Sequence, residues 1–141
     1  MQRIMTSAAL VFASALLLSG CAAGGGGATA TATADPCEAV RSEVRDISNG
    51  AQNALAAGGD PAEVQSTLED YSVRVSELGE TTDDAVSTEL EALTGALDDA
   101  AEFAATLPTD PEAEVDADAV AEHQTAIQEA ATSANEACSA E

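Results

Sequence analysis

In residues 35–57 the apolar positions Val40, Val44, Ile47, Ala51 and Leu55 follow at steps of 4, 3, 4 and 4. That is the period of a helix burying one face. Asp35 suits the cap, Pro36 the first helical position and Glu38 the third after the cap. Gly58-Gly59 closes the block. The letters DPAE at 60–63 nearly repeat the start signal, and Val64, Leu68, Tyr71, Val75 and Leu78 form the next stripe before Gly79. A third helix is expected after Thr81 or Thr82 as cap, with Asp83 and Asp84 near its positive end. Its stripe is Val86, Leu90, Leu93, Leu97, Ala100, Ala104 and Leu107, and Pro108 is the expected stop. Residues 107–118 carry two prolines and alternating acids and read as a loop. A fourth helix should begin between Asp116 and Asp118, with Val120, Ile127, Ala131, Ala134 and Cys138 on one face.

No stretch of 35–141 alternates as a strand would, so the fold class is all-α. Four helices joined by short connections predict an antiparallel up-down four-helix bundle, and 3-4 spacing suits shallow crossings. The core is expected to be Val, Leu and Ala, with Tyr71 and Phe103 as its aromatics. Alanine brings helices close but buries little area, so a cross-link would help so small a domain.

The chain begins differently. Arg3 precedes an apolar run, Ile4 to Leu18, and small residues follow. This order matches a secretory signal peptide over residues 1–20, and the run is shorter than the ~20 residues a spanning helix needs. It ends Leu18-Ser19-Gly20-Cys21, which resembles the lipobox of bacterial lipoproteins. The resemblance implies cleavage between Gly20 and Cys21 and a diacylglycerol thioether on Cys21. It implies a membrane anchor on the extracytoplasmic face and leaves the activity unspecified. Two acyl chains suffice for stable anchoring where one is marginal. Residues 21–34 then form a lipidated cysteine and a Gly/Ala/Thr tether, with a reach of roughly 20 Å as a flexible coil.

With Cys21 assigned to lipid, Cys37 and Cys138 remain as a pair in an oxidising compartment. Each shares the apolar stripe of its own helix, and up-down topology brings the start of the first helix to the end of the fourth. A disulfide closing the bundle at that end is expected. The tether enters there, which places the loops near 56–61 and 107–118 at the tip farthest from the membrane.

Charge narrows the partners. Acidic residues number 26 against 4 basic ones, for a net charge of −22. Loss of the leader removes Arg3, leaving Arg41, Arg45 and Arg74 as the cations. Such a chain lacks the cations that nucleic-acid binding requires and any polybasic grip on anionic lipid. It favours a partner with a basic surface, or cations. Alanine, threonine and acid in excess without lysine are similar to the composition of exported lipoproteins of high-GC Gram-positive bacteria.

Catalytic motifs are not found. His123 is the single histidine, between Glu122 and Gln124, and no G-x-S-x-G, Walker loop or H-E-x-x-H accompanies it. No cofactor and no catalytic residue are expected. Asp110, Glu112, Glu114, Asp116 and Asp118 alternate as Ca²⁺ ligands do, but an EF-hand needs Gly at its sixth position and Glu at its twelfth. Starting at Asp110, those positions hold Val115 and Ala121. The five acids stay as weak cation candidates, and an acidic cation- or small-ligand-binding lipoprotein is the alternative to a non-enzymatic interaction module of the cell envelope. Arg74 is expected to pair within its own helix, with Asp70 or Glu77, and Arg41 with Glu38.

Overall fold

A computed structural model describes residues 36–110 and 112–140. The leader, the lipobox with Gly20 and Cys21, the tether and the Asp35 cap lie outside the described residues. Four helices follow in order: α1 Pro36–Ala57, α2 Pro61–Gly79, α3 Asp84–Ala104 and α4 Ala117–Ser139. No strand occurs among the described residues. Each helix packs on its neighbours in sequence and α4 returns to pack on α1, which makes an antiparallel four-helix bundle. Cys37 and Cys138 form a disulfide with Cα atoms 5.3 Å apart, closing the ends of the bundle.

The stripes build the core. Val40, Val44, Ile47, Ala51 and Leu55 of α1 are buried, as are Val86, Leu90, Leu93, Leu97, Ala100 and Ala104 of α3. From α4 come Ile127, Ala131, Ala134 and Cys138. In α2 the buried positions are Val64, Leu68, Ser72 and Val75, whereas Tyr71 and Leu78 are half-buried at the edge of the core. The steps 64, 68 and 72 keep Ser72 on the inward face. Its hydroxyl donates to Asp98 Oδ1 on α3 at 2.6 Å, so the polar group is satisfied without water. Phe103 and Val120 likewise pack against the core from its edge.

Helix ends follow local chemistry. Asp60 caps α2, its carboxylate accepting from Ala62 N and Glu63 N, and Asp116 caps α4 through Asp118 N and Ala119 N. The α3 cap is Asp83, which accepts from Ala85 N and Val86 N. The two threonines expected there instead finish α2: the Thr81 hydroxyl donates to Leu78 O and the Thr82 hydroxyl to Gly79 O. The end of α3 also departs from expectation, falling at Ala104 rather than beside Pro108. A proline ring clashes with the carbonyl four residues earlier and disfavours helical geometry at the residue before it. Thr106 N and Leu107 N accordingly bond back three residues, to Phe103 O and Ala104 O. Gly58 and Gly59 have φ of 61° and 120°. The second value suits only glycine, and it lets α1 turn into α2 within three residues.

Candidate functional site

The loops at residues 58–60 and 108–115 meet at the end of the bundle opposite the disulfide. Gly58, Gly59 and Asp60 line one side of an open groove there, and Pro108, Thr109, Asp110, Ala113 and Val115 the other. Up-down topology dictates this meeting, since both loops join helices that run toward the same end. The tip expected from the sequence is therefore a physical neighbourhood.

Its acids are spread along the loop. The Asp110 carboxylate accepts from Glu112 N at 2.9 Å, and Ala113 N donates to Asp110 O at 3.0 Å. Asp116 is turned toward the backbone as the α4 cap, and Asp118 lies in the first turn of that helix. Glu112 and Glu114 are exposed. No group of three His, Cys, Asp or Glu side chains among the described residues is placed to hold a metal ion. Two of the five candidates are committed to backbone donors, and that commitment keeps their carboxylates from converging.

His123 is half-buried and stacks on Phe103, ring centroids 4.6 Å apart and planes at 26°. It acts as an apolar-edge residue across the α3–α4 seam. The α1–α4 seam carries amides: Gln52 Nε2 donates to Gln128 Oε1 at 3.0 Å and to Ser48 Oγ at 3.1 Å. Gln124 Nε2 donates to Gln52 O at 3.0 Å. Arg41 Nη1 reaches Ser139 Oγ at 3.4 Å across the same seam.

The α1–α2 seam is the least extensive of the four, and the sequence did not announce its construction. Tyr71 lies across α1 at Gly50, where an added Cβ would overlap its hydroxyl and approach Cζ to 2.7 Å. Arg74 crosses to Glu43 on α1, with Nε 3.0 Å from Oε1, rather than pairing with Asp70 or Glu77. Its guanidinium sits 5.5 Å from the Tyr71 ring centroid, a cation–π distance. A glycine in mid-helix and one tyrosine in an aromatic-poor chain were the available signals.

Fold and surface thus define an acidic, disulfide-closed four-helix bundle. No helix among the described residues is long and apolar enough to cross a membrane. Comparison of the chain with protein-family models, with curated proteins and with solved structures gives no match.

Proposed function

We propose that this protein is a lipid-anchored module of the extracytoplasmic membrane face that binds a basic envelope partner through its acidic surface and distal tip, without catalysis. The observation that carries this reading is the position of the Cys37–Cys138 disulfide. It marks the end of the bundle where a chain anchored at Cys21 would enter, so the 58–60 and 108–115 loops would point away from the lipid. A disulfide is also at home in an oxidising compartment. With helices up to 23 residues long, the tip would stand about 30 Å beyond that end. The net charge of −22 selects for cationic partners at long range.

The test is a cross-linking pull-down from native membranes with the full chain and a Cys21→Ala control. A specific partner captured by the anchored form alone, with yield falling as salt rises from about 0.1 to 0.5 M, is the expected result. Equal capture by the control or indifference to salt would overturn the reading.

A further inference from the structure

Three openings on the bundle surface join into one furrow. The tip groove shares Gly58 and Asp60 with an opening between α1 and α2 walled by Ala54, Ala57, Val64 and Thr67. Thr67 also lines a third opening beside Tyr71, Val73 and Arg74. The volumes run about 470, 250 and 450 Å³ from tip to middle of α2. The furrow is therefore narrowest where its walls are alanine, glycine and threonine. Val73 and Val115, the large apolar side chains left exposed among the described residues at 58% and 44%, lie at its two wide ends. Asp60, Glu63, Asp70 and Asp110 stand along it, and its one arginine, Arg74, is paired with Glu43.

We propose that this furrow is the docking groove of the module, and that its occupant is a cationic amphipathic helix of a partner protein. The inference rests on the interaction-module reading above and specifies its surface. Charge excludes the alternatives first. A second copy would bring another −22 against these acids, and the chain's own residues 22–34 hold no cation. Shape then selects a helix. The α1 and α2 walls spend their backbone groups inside their own helices, so they offer no edge to an extended strand. A segment buried there must satisfy its own amides, as a helix does, with its apolar stripe on the small-residue floor and basic flanks on the acids. From Asp60 to Arg74 the α2 wall is about 21 Å long, or about four helical turns. Each apolar end of the furrow would accept one anchor side chain near an end of the docked helix.

The probe is a synthetic Lys/Leu/Ala peptide of about four turns, leucines on one face, with a scrambled peptide of equal charge as control. Titrated into the full chain in non-ionic micelles, it should shift the amides of Ala57, Thr67, Val73 and Val115 and bind more tightly than its control. The Val73→Ser/Val115→Ser protein keeps every charge, changes only exposed residues and should melt as the parent does. It should bind the peptide about tenfold more weakly. Equal binding of both peptides with shifts over all four helices would overturn the furrow, as would unchanged affinity of the double variant. A dimer in sedimentation that the double variant loses would overturn it in favour of a second copy. If the double variant still captures the native partner from membranes at full yield, the furrow fails and the interaction module stands. Wild-type capture that ignores salt would sink the module reading itself.

Discussion

The α2–α3 seam and the α1–α2 seam share one helix yet close differently. Along α2–α3, Leu90 is fully buried and Val75 shares its seam. Gly79 comes so near α3 that a Cβ there would lie 3.6 Å from Ser87 Oγ, and Ser72 bonds Asp98. Along α1–α2 the helices are propped by Tyr71 against Gly50 and by Arg74 against Glu43, with the furrow open toward the tip. The difference teaches where this bundle draws its stability and where it has surface to spare. Close-packed Leu and Val hold α2 to α3, while α1 depends on its other neighbour, α4, and on the disulfide.

The largest expected effect comes from breaking the tight seam. Leu90→Ala should cost about 3–4 kcal/mol, because a buried leucine leaves a cavity that helices relax into only partly. Val64→Ala, on the wall of the open furrow, removes two carbons already near solvent and should cost about 2 kcal/mol or less. Urea midpoints of the two variants measure the contrast. Equal costs would mean that the seams differ in shape but not in energetic weight.

A second test asks which helix the cross-link serves. Replacing both Cys37 and Cys138 by alanine should cost about 3 kcal/mol, since the bond spans 101 residues and restricts the unfolded chain. The loss should not be uniform. Amide exchange ought to rise first in α1, whose remaining holds are the amide ladder to α4 and the thin seam to α2. The α2–α3 amides should keep most of their protection. Matched loss in all four helices would mean that α1 is no more weakly held than the rest.

Much of this architecture is legible in the residues, for a physical reason in each case. The four stripes are read correctly because burial on one face imposes the helical period directly on the sequence. Asp60 and Asp116 are legible as caps because one candidate stands at each start. At Thr81-Thr82-Asp83-Asp84 several cap-competent residues stand in a row. The choice of Asp83 depends on how the preceding helix spends its carbonyls, which the two threonine hydroxyls take up. The early end of α3 needs the reach of the Pro108 ring back to residue 104, beyond the immediate neighbour. Arg74 was assigned to acids on its own helix because those are visible as spacing. Its partner on α1 depends on interhelical register, which period alone does not give. The furrow is illegible for the same reason: Val73 and Val115 are 42 positions apart in the chain and become ends of one feature only when α1 and α2 fail to close.

The smallest effect separates a prop from an accident of packing at that open seam. Gly50 stands in mid-helix, where alanine is ordinarily better by about 1 kcal/mol. Here the added methyl would overlap the Tyr71 hydroxyl and press on its ring. A tyrosine ring is stiff, and Arg74 stands over it, so relief requires α2 to move outward or the ring to swing into solvent. Overpacking of this kind costs about 1–3 kcal/mol, which leaves Gly50→Ala net destabilising by about 1 kcal/mol once the propensity gain is subtracted. The sign should reverse in a Tyr71→Ala background: with the ring gone, Gly50→Ala should stabilise by up to about 1 kcal/mol. A double-mutant cycle by thermal melting reads both values. If Gly50→Ala stabilises in both backgrounds, Tyr71 is a passenger on the surface of α1. If the sign reverses, the ring sets the distance between α1 and α2 and thereby the width of the furrow beside it.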